Sequence, residues 1–129
     1  SKEVKKMYDN ENLARILEKN IGYELDSINF YVNNLENLNY KKNKKKVDTL
    51  LLESIKHTTK LSKALLEVQK NKTSKITKKT KVLAMKEELG MKELYTYELQ
   101  RTENTKVRRI LKNLIKEETK HEKLVKLLK

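Results

Sequence analysis

The sequence predicts an all-α protein, and more specifically a four-helix bundle made of two repeated helix pairs. Proline is absent and only two of the 129 residues are glycine, so little in the chain would interrupt a helix. Apolar residues recur in alternating steps of three and four, which is typical of a helix that buries one face in a bundle. Residues 21–65 also align with residues 85–129 without a gap, at a constant offset of 64 positions and with nine identities.

The first repeat contains two predicted helices, over roughly Asn10–Leu38 and Lys44–Lys70. The stripe of the first helix consists of Leu17, Ile21, Glu24, Ile28, Tyr31, Leu35 and Leu38. The stripe of the second helix consists of Val47, Leu50, Ser54, His57, Leu61, Ala64 and Val68, and Glu53 lies beside it. An acid and a histidine therefore stand at the centre of stripes that are otherwise mostly apolar.

The second repeat has the same organisation. The polar stretch Asn71–Thr77 separates the halves, and Thr73, Ser74 or Thr77 is expected to cap a third helix that ends near Glu103. A fourth helix follows Asn104–Thr105 and runs to the end of the sequence. The two stripes are Ala84, Glu88, Met91 and Tyr95, then Val107, Leu111, Leu114, Glu118, His121, Val125 and Leu128, with Glu117 on the adjoining ridge. We expect residues 10–129 to form a single domain, preceded by a frayed N-terminal arm over residues 1–9.

Composition excludes several kinds of site. The sequence has no cysteine, which excludes disulfides, zinc–thiolate sites, iron–sulfur clusters and a rubredoxin-type iron centre. No apolar stretch approaches the roughly 18–20 residues that span a bilayer, and the N-terminus lacks the apolar core of a signal peptide. We therefore expect a cytoplasmic protein.

The chain is strongly basic, with 31 lysine and arginine residues against 18 acidic ones and a net charge of +13. The densest runs of lysine are Lys41–Lys46 and Lys70–Lys81. Such a surface predicts weak, salt-sensitive attraction to polyanions. One alternative function is thus a basic helical module that binds nucleic acid or an anionic membrane.

The acidic residues of the stripes indicate a metal site. A lone carboxylate inside a bundle costs several kcal/mol unless it is protonated, paired or bound to a cation. Four carboxylates and two divalent cations sum to zero charge, and mixed carboxylate and imidazole ligation suits iron or manganese, with zinc as a further option. The alternative for each residue is ordinary: a glutamate with its head in water, a satisfied histidine at the edge of the core, and a tyrosine that fills space. Recurrence favours the metal site, since the same residue types return in the same order with 33 positions from glutamate to histidine in both repeats.

The segments that carry this pattern resemble a known family. Glu24–Tyr31 (ELDSINFY) with Glu53–His57 (ESIKH), and Glu88–Tyr95 (ELGMKELY) with Glu117–His121 (EETKH), resemble the two halves of a ferritin-like di-iron carboxylate protein of the rubrerythrin and bacterioferritin type. The resemblance implies a pseudo-two-fold bundle, a crossover connection between the second and third helices, and two iron ions. An up-down-up-down connection is the alternative. A linker of about ten residues reaches at most about 33–36 Å, which is less than the length of a helix of about 27 residues that a crossover would have to span.

Residue roles follow from the resemblance by position. Glu24 and Glu88 would be terminal ligands, His57 and His121 would give one imidazole to each metal, and carboxylates of the second and fourth helices would bridge the metals. Tyr31 and Tyr95 would contact the metal ligands without binding the metals themselves, or would take part in redox chemistry. The family motif Glu-x-x-His is met by Glu118 and His121, but Ser54 stands at the equivalent position of the second helix. Glu53 is expected to substitute for it, and Glu117, its repeat partner, then competes with Glu118.

The resemblance also implies a function. We expect a di-iron oxidoreductase, peroxidase-like or ferroxidase-like, that reacts with dioxygen or hydrogen peroxide or oxidises ferrous iron. Since a rubredoxin-like tail is missing, electrons would come from an external donor. A homodimer is a further expectation, and a ferritin-like scaffold without metals is the remaining alternative.

Overall fold

The computed structural model describes residues 7–129, which form four α-helices. Their bounds are α1 Asn10–Asn33, α2 Tyr40–Gln69, α3 Lys78–Leu99 and α4 Thr105–Leu127. No strand occurs among these described residues. The predicted all-α fold class, with two repeated helix pairs, is confirmed. The N-terminal part of the expected frayed arm, residues 1–6, lies outside the described residues, and Asp9 at its end caps α1 by accepting a hydrogen bond from the backbone of Asn12.

Two compact units make up the chain, with their boundary between Thr73 and Ser74. The first contains the α1–α2 hairpin, and the second contains the α3–α4 hairpin. Each hairpin corresponds to one of the sequence repeats. The polar stretch Lys70–Thr77 joins them, and Thr77 is the residue that caps α3, by accepting a hydrogen bond from the backbone of Thr80.

The turn of the first hairpin begins earlier than predicted. α1 ends at Asn33 rather than near Leu38. The backbone N–H of Asn34 donates to the carbonyl of Tyr31, and its side-chain amide donates to the carbonyl of Phe30. Asn39 adopts a left-handed conformation with φ of 49°, which asparagine tolerates better than most residues. α2 then starts at Tyr40 but has a non-helical residue at Asn43, so its regular part coincides with the predicted start at position 44.

The second hairpin is tied together at both ends. At the turn, the guanidinium of Arg108 donates to the carbonyls of Leu99 and Thr102, so α3 stops at Leu99, short of the predicted Glu103. At the opposite end, Lys81 Nζ in the first turn of α3 donates to the carbonyl of Lys126, near the end of α4, at 2.7 Å. It also donates to the carbonyl of Leu128 at 3.1 Å. These bonds show that the two helices run antiparallel, with the middle of each beside the middle of the other.

Few side chains are buried within the hairpins themselves. The buried apolar residues are Ala14 and Val47 in the first hairpin and Leu111 and Val125 in the second. Large apolar side chains such as Leu66 and Leu124 remain more than 60% exposed. Two polar residues, Ser54 and Glu118, are nevertheless buried. They occupy equivalent positions in the two repeats. Of the helices within residues 7–129, none has the length and apolar character required to cross a membrane.

Candidate metal centre

Each hairpin pairs a glutamate of its first helix with a histidine of its second. In the α1–α2 hairpin, Nδ1 of His57 lies 3.2 Å from Oε1 of Glu24. In the α3–α4 hairpin, Nδ1 of His121 lies 3.2 Å from Oε2 of Glu88. Both pairs span 33 positions, and in both the glutamate is about three-quarters buried while the histidine is about half exposed. The structure therefore brings together the glutamate and histidine that the sequence placed at matching positions.

The second hairpin adds a third ligand candidate. Glu118 lies one turn before His121 on α4, and its Oε2 is 3.5 Å from Nδ1 of that histidine. One ligand atom each from Glu88, Glu118 and His121 lies within 4.8 Å of the other two. This triad, defined as these three residues, is compact enough for its members to contact one cation together.

The charges within the triad influence one another strongly. A hydrogen bond with Glu88, together with burial and the charge of Glu88, raises the pKa of Glu118. The same hydrogen bond lowers the pKa of Glu88, and His121 adds to that effect against the opposing influence of burial. Burial by itself would lower the pKa of His121, but the hydrogen bond to Glu88 and the charges of both carboxylates outweigh it, so its pKa is raised. Glu118 and His121 therefore retain their protons to a higher pH than free side chains do.

The donor set of the triad fits a divalent transition metal. Oε2 of Glu118 is buried and accepts no hydrogen bond from an N–H or O–H group of the described residues; the ring of His121 lies 3.5 Å from it. Two carboxylates and one imidazole give the mixed oxygen and nitrogen ligation that iron and manganese accept. A divalent cation would supply the positive charge that this oxygen lacks.

Glu53 and Glu117 are exposed and contact other side chains of their own helices. The Glu53 side chain is 53% exposed, and its Oε1 lies 3.9 Å from Nζ of Lys56. Glu117 is exposed and accepts a hydrogen bond from the side-chain amide of Asn113. Within α4 the structure brings Glu118, not Glu117, to the histidine. Within α2 the buried position equivalent to Glu118 is occupied by the hydroxyl side chain of Ser54.

The two tyrosines singled out in the sequence are half-buried. The ring of Tyr31 packs edge-on against Phe30, with ring centroids 5.4 Å apart. Tyr95 has a similar degree of burial at the equivalent position of α3. A role for either beside the metal ligands stays a prediction.

One ion pair near the triad was missed from the sequence. Nζ of Lys92 on α3 lies 3.4 Å from Oε1 of Glu122 on α4, and the Glu122 side chain is only 14% exposed. Glu122 follows Glu118 by four positions and Lys92 follows Glu88 by four, so one helical turn separates this pair from the triad. This four-residue spacing on both helices was the feature of the sequence that could have indicated the ion pair. The repeat partners of these two residues are Ile28 and Thr58, so the first hairpin has no equivalent ion pair.

Within the first hairpin, a shallow groove of about 450 Å³ adjoins the Glu24–His57 pair. Its lining is completed by Lys60, Leu61, Tyr23 and Asn20.

Comparison with known proteins gives one match. A family model described as Rubrerythrin matches residues 15–129, which include most of α1, the other three helices and every ligand candidate. No curated protein and no solved structure matches the chain significantly.

Proposed function

Since the chain belongs to the rubrerythrin family, we propose that it is a ferritin-like di-metal protein that binds two iron ions. Its reaction would be redox chemistry with dioxygen or hydrogen peroxide, or the oxidation of ferrous iron, with electrons from an external donor. The observation that carries the proposal is the repeated glutamate–histidine pair, which has the same 3.2 Å separation in both hairpins. A chance arrangement of surface residues would have no reason to recur at equivalent positions.

The chemistry of the site divides between metal and protein. The bound iron pair would supply the electrons that reduce the oxidant. Glu24 with His57, and Glu88 with Glu118 and His121, would hold the cations, and their three carboxylates would offset most of the positive charge.

Protons are the second contribution of the protein. In the absence of a cation, the hydrogen bond with Glu88 raises the pKa of Glu118, and the two neighbouring carboxylates raise the pKa of His121, so both groups release their protons at higher pH than free side chains do. Metal ligands must be deprotonated, so an arriving cation displaces these protons. The triad can therefore exchange positive charge carried by protons for positive charge carried by a metal.

The proposal is tested by the amount of iron bound at equilibrium. Metal-free protein is dialysed anaerobically against ferrous iron, the iron in both compartments is measured by mass spectrometry, and the sample is exposed to air while its absorption spectrum is recorded. We expect about two irons per chain and a new near-ultraviolet charge-transfer band after exposure. The double variant His57→Ala/His121→Ala should lose both.

A matched control is available one residue earlier in each repeat. Lys56 and Lys120 are exposed and equivalent, so Lys56→Ala/Lys120→Ala changes the same two helices without touching the glutamate–histidine pairs. This control should bind iron like the original protein. Retention of both irons by the histidine double variant would refute the proposal. In that case, binding of nucleic acid or anionic vesicles that persists in the presence of a chelator would favour a basic binding module instead.

A further inference from the structure

Ser54 and Glu118 make the two hairpins chemically unequal. They stand 64 positions apart at equivalent places on α2 and α4, and both are buried, with exposures of 8% and 9%. Each precedes a histidine of a glutamate–histidine pair by three positions. At the point where the second hairpin presents a carboxylate, the first presents a neutral hydroxyl group.

No neighbouring carboxylate of α2 compensates for this difference. Glu53 is the nearest acidic residue along the helix, but its side chain is mostly exposed and lies beside the ammonium group of Lys56. Bringing it to His57 would require the side chain to leave solvent and its lysine neighbour. The first hairpin by itself therefore offers a cation one carboxylate and one imidazole, whereas the second offers two carboxylates and one imidazole.

The difference has a consequence for binding strength. A divalent cation at the triad meets two carboxylates, and one of them, that of Glu118, is buried. A cation at Glu24 and His57 meets a single carboxylate of its own hairpin. Attraction between charges is stronger where water is excluded, so both the number of charges and their burial favour the second hairpin.

We propose, on the basis of the function proposed above, that the two cation positions are unequal: the triad Glu88, Glu118 and His121 binds first and tightly, and the Glu24–His57 pair binds second and weakly because Ser54 replaces a ligand. The second cation is consequently the exchangeable one.

The proposal is tested by titrating metal-free protein with Co²⁺, which does not react with air on binding and whose visible absorption reports its coordination. Calorimetry and absorption should both resolve two events, the first at least about tenfold tighter than the second, which corresponds to about 1.4 kcal/mol. Glu118→Ser should abolish the tight event. Ser54→Glu should strengthen the weak event until the two are within a few-fold of each other.

Ser62→Glu is the matched control for the added charge. Ser62 lies on α2 and is exposed, so this variant has the same composition and net charge as Ser54→Glu but places the carboxylate away from His57. It should leave the two events unequal. Circular dichroism establishes that each variant is folded, and the titration of the original protein tests the inequality even if Ser54→Glu does not fold.

Two equal binding events in the original protein would overturn the inference while leaving the proposed function intact. Loss of the weak event in Glu53→Gln would also overturn it, since Glu53 would then be the missing ligand. Absence of any Co²⁺ binding, or binding that survives His57→Ala/His121→Ala, would instead refute the proposed function itself.

Discussion

His121 and Glu88 are 33 positions apart in the chain and 3.2 Å apart at their nearest ring nitrogen and carboxylate oxygen. The hydrogen bond and the charge of Glu88 favour a protonated imidazole, which raises the pKa of His121 in spite of burial. We expect Glu88→Gln to lower the pKa of His121 in the metal-free protein. Titration of the histidine ring signals by nuclear magnetic resonance measures this change directly. An unchanged titration of His121 in Glu88→Gln would contradict the pairing.

Cation affinity should increase with pH. The pKa values of Glu118 and His121 are both raised, so both groups hold protons at pH values at which free side chains would have released more of them. A cation must displace those protons, and the competition weakens as pH rises. We therefore expect tighter Co²⁺ binding at about pH 8 than at about pH 6, with protons released on binding. Calorimetry in buffers with different ionisation enthalpies counts them.

Glu118→Gln separates the two contributions to this pH dependence. Its amide cannot give up a proton to the metal, so fewer protons should be released at the tight position. An affinity independent of pH in the original protein would show that neither group carries a proton that the cation displaces.

Arg108 should contribute to the stability of the second hairpin. Its guanidinium satisfies two carbonyls at the turn between α3 and α4, and hydrogen bonds from charged groups contribute about 1.5–3 kcal/mol each. We expect Arg108→Ala to lower the free energy of unfolding by about 3 kcal/mol, the lower end of the range for two such bonds. Denaturation by urea, followed by circular dichroism, gives the value.

The neighbouring residue is a control of the same chemical type. Arg109 is exposed, and truncation of an exposed arginine changes stability by about 0.5 kcal/mol or less. Equal effects of Arg108→Ala and Arg109→Ala would mean that the turn does not depend on the hydrogen bonds of Arg108.

Gly22 and Gly90 should both be replaceable by alanine with a gain in stability. Each lies within a helix, and an added methyl group would meet nothing within 4 Å. Alanine is favoured over glycine by about 0.8–1 kcal/mol inside a helix. We expect Gly22→Ala and Gly90→Ala each to raise the free energy of unfolding by roughly that amount, measured by urea denaturation. A loss of stability in either variant would reveal a close neighbour at that face of the helix.

The number and order of the helices could be predicted from the sequence because periodicity and the absence of proline are properties of long segments. The ends of the helices could not. α1 ends early because Asn34 forms local hydrogen bonds, and α3 ends at Leu99 because Arg108 binds the carbonyls of the turn. Both depend on side chains whose partners are not evident from a repeating pattern.

Part of the candidate site could likewise be predicted from the sequence, and part could not. The repeat predicted that Glu24 would accompany His57 and that Glu88 would accompany His121, and the structure brings each pair together. Sequence alone left Glu117 and Glu118 in competition, because positions three and four before a histidine both share its helix face. Burial separates them: Glu118 is turned inwards, whereas Glu117 is exposed. The Lys92–Glu122 ion pair depends on which faces of α3 and α4 meet, and periodicity does not specify that.

Lys81 and Arg108 make hydrogen bonds at opposite ends of the α3–α4 hairpin, and these bonds hold the two helices together at both ends. With both ends fastened, the helices need not part for an ion to enter or leave the middle. The imidazole of His121 is about half exposed, so a cation can meet this ligand without separation of the two helices. Exchange of the ion would then proceed at the pace of side-chain motion, and a slower unfolding of the hairpin would not limit it.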